Sequence, residues 1–195
     1  QLSDSSRLYK EHFELAFKHY KNKRYQLAEN EFKTILIEKR NFTDPVSHFM
    51  LAKSLFHQDK MLDSKRAGDS YLNKYPDSKY AFNIKIMLSD ILISKEKYSY
   101  VVEQLLHLRE SLIDSTQLQK IDYRLLNSIV MGVNSSKIEQ LLFLSENKVS
   151  RSILNLARSY RSLLDGNIND MDLSLSVINS KLLPPYYFDF YESLS

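Results

Sequence analysis

The chain has 195 residues, of which 43% are hydrophobic and 26% are charged, so it fits one globular domain or one continuous array of repeats. Its net charge of +3 is too mild for the concentrated basic surface that nucleic-acid binding requires, and we expect no nucleic-acid partner. Because the chain contains no cysteine, disulfides, thiolate zinc sites and cysteine nucleophiles are excluded, while the periplasm and the cytosol both stay compatible with the sequence.

Glycine and proline are scarce, with three and four residues respectively. A β-sandwich or barrel needs turn residues every ~8–12 positions, so long helices are the expected structure. Apolar runs such as residues 91–93 fall far below the ~18 residues of a membrane-spanning helix, and we expect none. The sequence begins at Gln1 without a methionine, which leads us to expect that an upstream segment, for example a signal peptide, was cleaved or lies outside this sequence.

Residues 8–110 repeat one pattern of small and apolar residues with a step of 36 to 37 residues. Each predicted pair of helices has a small residue where its first helix crosses the second, a compact residue facing it, and a large apolar residue that opens the second helix. In chain order these positions are Ala16, Ala52 and Ser89, then Ala28, Ser64 and Val101, then Tyr25, Met61 and Tyr98. The spacing predicts three helix pairs.

Residues 112–182 keep the apolar periodicity of helices in less regular repeats, with one helix near 118–130, another from Ser135 and a later pair around Leu156 and Leu175. Pro184 and Pro185 must end the preceding helix. Residues 185–195 then predict an aromatic closing helix, which either caps the apolar end of the array or docks a missing downstream domain. The whole pattern predicts an all-α fold, a right-handed solenoid of about ten antiparallel helices in a single domain spanning residues 1–195.

The residues of the first three pairs resemble the tetratricopeptide repeat, although His12 and Ala16 stand where that repeat usually has Trp and Gly. Within that family, the phrase YPDSKYA at residues 75–81 is similar to the YPxSxYA phrase of bacterial cell-envelope repeat proteins of the BamD and YbgF type. This resemblance implies a non-catalytic adaptor in the periplasm or cell envelope. Proteins of the BamD type begin with a lipidated cysteine, and any such residue here would lie before Gln1.

Motifs for catalysis or cofactors are missing from the sequence. Histidines at spacings of seven and nine residues do not form the usual helical metal pair, and Gly68, Gly132 and Gly166 are too scattered for a phosphate-binding loop. No GxSxG arrangement occurs. We therefore expect no enzyme activity, no cofactor and no metal site.

The first helix of each pair carries the candidate binding residues. In a repeat array these helices are expected to line the concave side, where aromatic residues beside lysines suit an apolar peptide or helix with some acidic residues. The predicted partner-binding residues are Lys10, Phe13, Phe17, Tyr20 and Lys21, then Phe49, Lys53, Phe56 and His57, and finally Ile86, Asp90 and Ile93. The competing interpretation is that these aromatics belong to the core, because a helix between two neighbours buries a wide stripe.

A second candidate is a basic patch formed by Arg124, Arg151, Arg158 and Arg161. Such a patch would dock an acidic protein, an anionic lipid or a glycan polymer, in keeping with a peripheral association with the envelope. The alternative is a solvated helix face without a ligand.

The leading functional hypothesis is a protein-interaction scaffold that captures a partner peptide or helix on its concave face. The alternative is a helical regulatory or docking domain of a larger envelope protein, such as an enzyme activator or a transport-linked receptor. An all-helical hydrolase is a third interpretation, and it lacks paired carboxylates in a recognisable motif.

Overall fold

The computed structural model describes residues 4–38 and 44–195, and within these ranges it is helical without strands, which confirms the all-α prediction. The helices are α1 (Asp4–Lys21), α2 (Tyr25–Glu38), α3 (Pro45–Phe56), α4 (Met61–Lys74), α5 (Ala81–Ser94), α6 (Tyr98–Glu110), α7 (Ser115–Gly132), α8 (Ser135–Leu144), α9 (Lys148–Leu164), α10 (Ile168–Ser176) and α11 (Phe188–Leu194). Short 3-10 turns at Ser180–Leu182 and Pro185–Tyr187 lead into α11.

The turn inside each helix pair recurs at one register. Backbone φ is between 57° and 73° in the turns that follow α1, α3, α5 and α9, and a glycine with φ of 156° ends α7. The turn residues are Lys23, Asp59, Glu96, Gly132 and Gly166, separated by steps of 36, 37, 36 and 34 residues. Within the described residues, five turns at this register therefore separate a first helix from a second, two more than the regular sequence pattern identifies.

Four of these turns close with the same two backbone hydrogen bonds, which is the Schellman arrangement of a helix C-terminus. After α1, the Lys23 N–H donates to the carbonyl of Tyr20 (3.0 Å) and the Arg24 N–H donates to that of His19 (2.9 Å). Equivalent pairs of bonds follow α3, α5 and α9. This arrangement requires a residue with positive φ directly after the helix. The position of that residue therefore determines where the turn lies in the sequence.

In the second half of the chain, short polar side chains fix where helices begin. Asp114, Asn134, Asn147 and Asn167 precede α7, α8, α9 and α10, and each accepts a hydrogen bond from a backbone N–H of the first turn. Such an N-cap stabilises a helix by about 1 kcal/mol. The irregular part of the sequence is therefore divided into helices by capping residues.

The chain forms two compact units, Gln1–Ile91 and Leu92–Ser195. In unit 1, α1 packs on α2, α2 on α3 and α3 on α4. The small residues Ala16, Ala28, Ala52 and Ser64 are fully buried, in agreement with their predicted places at the helix crossings. A Cβ on Gly68 of α4 would lie 3.0 Å from Leu88 Cδ2, so this glycine also permits a close helix approach.

A buried carboxylate connects α2 to the turn between α3 and α4. Glu29 accepts hydrogen bonds from Lys33 Nζ (2.6 Å), Lys60 Nζ (2.7 Å) and Gln58 Nε2 (2.9 Å). Burial alone raises the pKa of a carboxyl, but these three donors outweigh it and lower the pKa of Glu29 to about 2. Glu29 is therefore charged in the folded unit under all ordinary conditions.

The phrase YPDSKYA at residues 75–81 forms the turn between α4 and α5, and most of its side chains have packing roles. Tyr71 Oη and Ser78 Oγ are hydrogen-bonded at 2.7 Å, the Tyr75 ring packs on Tyr71 at 5.3 Å, and Tyr80 stacks on Phe49 at 4.6 Å. Ala81 is buried at the start of α5. The phrase is thus accounted for by the packing of this turn.

In unit 2, α6 packs on α7, α8 on α9, and α9 on α10. Its core is aliphatic and includes Ile121, Leu125, Ile129, Ile153 and Leu154, all fully buried. The segment after α10, residues 180–194, lies against α7 and α9. We call residues 184–195 the tail.

Candidate functional site

Counting back from the turn residue places nine of the twelve predicted binding residues on one face of the first helices, and the other three, Tyr20, Phe56 and Ile93, lie beside it, three residues before the turn residue. The face consists of the positions 13, 10, 6 and 2 residues before each turn residue, and we call it the first-helix face. In α1 these positions are Lys10, Phe13, Phe17 and Lys21, and in α3 they are Val46, Phe49, Lys53 and His57. In α5, Ile86 and Asp90 take the positions 10 and 6 before Glu96.

On α1 this face is an aromatic column that ends in lysine. The ring of Phe13 stacks on that of Phe17 at 6.3 Å and meets Phe32 of α2 edge-on at 6.2 Å, so Phe13 joins the column to the core. Phe17 is 37% exposed, and the Lys21 ammonium lies 4.7 Å from its ring centroid. Lys10 lies one helix turn before Phe13, and its Nζ atom pairs with Oε1 of Glu14 at 3.8 Å.

On α3 the face is divided between core and surface. Phe49 is only 8% exposed because Tyr80 stacks on it, so this predicted binding residue is part of the core. Lys53 and Phe56 are half-buried and His57 is exposed. The surface part of α3 is therefore its C-terminal half.

A cluster of rings links the C-terminal ends of α1 and α3. His57 stacks on Tyr25 at 4.7 Å and meets Tyr20 and Phe56 edge-on at 5.7 and 5.8 Å. Desolvation of the imidazole by the neighbouring rings, with a smaller effect from Lys53, lowers the pKa of His57. The cluster gives unit 1 a rigid aromatic surface beside the lysines.

The predicted residues of α5 contribute less to the surface. Ile86 is 8% exposed and belongs to the core, while Asp90 and Ile93 are half-buried. Phe49 and Ile86 of the predicted face are therefore buried in the core. The more exposed residues of the face are Lys10, Phe17, Lys21, Lys53 and His57.

In unit 2 the tail lies against part of the first-helix face. The position equivalent to Phe17 is Leu126 in α7 and Tyr160 in α9. Tyr160 meets the Phe190 ring edge-on at 5.3 Å, and Leu126 lines a cleft together with Pro185 and Phe190. This cleft, of about 1060 Å³, runs between α7 and the tail and is walled mainly by apolar side chains.

A buried polar network anchors the tail to α7. Tyr187, which is fully buried, donates its hydroxyl hydrogen to the Asp122 carbonyl (3.3 Å) and lies 3.4 Å from Asp122 Oδ1. Arg109 Nε of α6 donates to the same carboxylate oxygen at 2.7 Å. Burial, followed by the charge of Asp122, raises the pKa of Tyr187 far above its usual value, so the phenol stays protonated as a donor.

The sequence analysis did not single out Arg109 and Asp122. The signal was present, because Asp122 takes the position that Phe13, Phe49 and Ile86 occupy in the first three pairs. A carboxylate at an otherwise apolar position of the repeat requires buried partners. Arg109 of α6 and Tyr187 of the tail are these partners, and the repeat pattern does not predict that the two elements meet at Asp122.

The four predicted patch arginines make contacts within the fold. Arg161 Nη2 donates to the carbonyls of Ile129 (2.5 Å) and Val130 (3.0 Å) at the end of α7. Arg151 Nη1 donates to those of Leu142 (2.7 Å) and Ser145 (3.1 Å) at the end of α8. These two side chains satisfy carbonyls that a helix leaves unpaired at its C-terminus.

Arg158 and Arg124 are likewise engaged. Arg158 pairs with Asp170 of α10 at 2.5 Å and with Glu139 of α8 at 3.2 Å, and its hydrogen bond lowers the pKa of Asp170. Arg124 Nη1 donates to the Lys120 carbonyl at 2.9 Å. Arg151, Arg158 and Arg161 therefore join helices, while the bond of Arg124 lies within α7.

Within the ranges 4–38 and 44–195, no three His, Asp or Glu side chains are placed to hold a metal ion. His12, for example, lies 2.7 Å from Glu31 and bridges α1 and α2. Over the same described part of the chain, no helix is both long and apolar enough to cross a bilayer. Comparisons with protein-family models, with curated proteins and with solved structures find no match to this chain.

Proposed function

We propose that this chain is a non-catalytic protein-interaction scaffold whose first unit binds a peptide or helix of a partner protein on its first-helix face. The observation that carries the proposal is the tail in unit 2. There, Tyr160, at the same register as Phe17, packs on Phe190 of an aromatic segment of the chain itself, and Leu126, at the same register in α7, lines the cleft beside that segment. A face that contacts one such segment in unit 2 is suited to hold another at the exposed Phe17 of unit 1.

The chemistry of the face in unit 1 supports this proposal. Phe17, Phe56 and His57 offer rigid ring surfaces, which lose little conformational entropy on binding and are common energetic anchors of interfaces. Lys10, Lys21 and Lys53 add donors at the edges. Phe13 packs on Phe32 of α2 and His57 stacks on Tyr25. Because these contacts hold the rings in place before a ligand binds, the surface is largely pre-organised.

The resemblance to envelope repeat proteins would place such a scaffold in the periplasm or at the cell envelope. That location rests on the phrase at residues 75–81 and remains a proposal. A fractionation of the source cells, followed by immunodetection of the chain, is the measurement that tests it.

The binding proposal is tested by selecting displayed random peptides of 12 residues, the length of the tail, on the purified chain. Selected peptides should lose at least about tenfold in affinity for the double variant Phe17→Ala and Phe56→Ala, as expected when two interface anchors are truncated. Because Phe56 is half-buried, Phe17→Ala alone provides a second variant whose fold is less affected.

The matched control truncates two exposed apolar residues of second helices, Leu27→Ala in α2 and Leu62→Ala in α4. The control should bind the selected peptides as the wild type does. Selected peptides whose affinity is unchanged by Phe17→Ala and Phe56→Ala, but falls in the control, would show that the binding surface lies elsewhere. A large loss of thermal stability with binding intact would assign the two rings to the core.

A further inference from the structure

The tail and the face in unit 1 have complementary compositions. The tail sequence, PPYYFDFYESLS, contains five aromatic residues and two carboxylates, Asp189 and Glu192, and no lysine or arginine. The face that holds it in unit 2 carries neutral residues at its outer positions, for example Gln119 and Val130. The same positions in α1 of unit 1 are Lys10 and Lys21.

We propose that the first-helix face of unit 1 recognises an acidic, aromatic segment of a partner protein, a segment of the same chemistry as the tail. This inference rests on the proposed function and specifies its ligand. Aromatic side chains of the segment would pack on Phe17 and Phe56, as Phe190 packs on Tyr160 in unit 2. Its carboxylates would meet Lys10, Lys21 and Lys53, where opposite charges favour encounter and register.

A partner protein fits this role better than the tail of a second copy. The tail is already engaged in its own unit, where Tyr187 is fully buried and hydrogen-bonded to Asp122. Binding in trans would require each copy to expose that ring and leave the buried Asp122 without this donor. A partner segment carries no such cost.

The probe is a synthetic fluorescein-labelled peptide with the tail sequence PPYYFDFYESLS, titrated with the full chain and followed by fluorescence anisotropy. A second peptide carries Asp189→Asn and Glu192→Gln, which removes both charges and keeps every ring. We expect the acidic peptide to bind about tenfold more tightly than the neutral peptide, and expect that the difference shrinks as NaCl is raised.

On the protein, the double variant Lys10→Gln and Lys21→Gln should weaken the acidic peptide about tenfold and leave the neutral peptide nearly unchanged. The matched control, Lys74→Gln with Lys85→Gln, removes the same charge from exposed sites of unit 1 outside the face and should change neither affinity. Equal affinities for the two peptides, or equal effects of the two lysine pairs, would overturn the proposal.

Two further outcomes identify other occupants. A loss of affinity in Tyr160→Ala, without a loss in the lysine variant, would show that the peptide exchanges with the chain's own tail in unit 2. Self-association in light scattering that disappears with Lys10→Gln and Lys21→Gln would assign the face to a second copy's tail. Either result overturns the partner proposal.

Failure of this inference is distinguishable from failure of the proposed function. If displayed peptides depend on Phe17 and Phe56 but carry no acidic residues, the scaffold proposal holds and the acidic ligand is wrong. If no selected peptide depends on these two rings, both proposals fail.

Discussion

Replacing Glu29 by glutamine should destabilise unit 1 in a manner that depends on pH. The side chain is 4% exposed and its three donors lower its pKa from 4.5 to about 2. Each pKa unit corresponds to 1.36 kcal/mol, so the shift amounts to about 3 kcal/mol of stabilisation. Because Lys33 and Lys60 are partly exposed to solvent, which screens their charges, we expect Glu29→Gln to cost about 2–3 kcal/mol at neutral pH.

The sign of the pH dependence follows from the lowered pKa. The folded-state pKa of Glu29 lies below its unfolded value, so its contribution is complete above about pH 4.5 and is lost as the pH falls towards about 2. The difference in stability between wild type and Glu29→Gln should therefore shrink steadily over this range. Below it, the two proteins should be almost equally stable with respect to this site.

The assay is urea unfolding followed by far-ultraviolet circular dichroism at a series of pH values, with hydrogen exchange of the α2 and α3 amides to localise the effect. Glu14→Gln serves as control, because Glu14 is exposed and pairs with Lys10 at 3.8 Å, so its loss should cost less than about 0.5 kcal/mol. A stability difference for Glu29→Gln that stays constant between about pH 7 and pH 3 would refute the reasoning.

Three further changes test the turns, the helix ends and the tail. Glu96→Gly should stabilise the protein by up to about 1 kcal/mol and Gly166→Ala should destabilise it by a similar amount, since both residues have positive φ; urea midpoints that move in the opposite direction would contradict this. Arg161→Ala should cost about 2 kcal/mol in urea unfolding by leaving two carbonyls at the end of α7 without their charged donor, and Arg161→Lys should restore little of it, so full rescue by lysine would argue against the guanidinium geometry. Tyr187→Phe should cost about 1 kcal/mol and speed hydrogen exchange in the tail, because Asp122 loses a buried donor, whereas unchanged exchange would mean that ring packing alone holds the tail.

The sequence predicted the helix pairs because their determinants are local or repeat along the chain. Ala16, Ala28 and Ala52 are small at the crossings, and the structure buries all three fully. The later pairs have fewer such residues, and there the capping asparagines and the turn glycines, Gly132 and Gly166, preserve the register. Each of these features affects only residues that are close to it in the sequence, so it can be recognised without knowing the fold.

The candidate site was predictable as a face but not residue by residue. Phe17 and Phe49 both lie on the predicted face, six and ten residues before their turn residues, and the sequence of each helix does not show which ring is covered. Phe49 is buried because Tyr80, from a later turn, stacks on it, whereas Phe17 stays at the surface beside Lys21. Burial of an aromatic ring depends on what packs over it, and that partner comes from elsewhere in the chain.

By itself, the sequence determined the all-helical class, the pairing of successive helices and the face on which binding residues are sought, because hydrophobic periodicity and turn geometry are properties of short segments. Only the tertiary structure decided that Arg151 and Arg161 of α9 bind carbonyls at the ends of other helices and that the tail lies against part of the face in unit 2. Both depend on long-range contacts such as the bond between Tyr187 and Asp122, where residues 65 positions apart meet. Such contacts do not produce a periodic pattern in the sequence, because each occurs once and its two partners are brought together only when the whole unit packs.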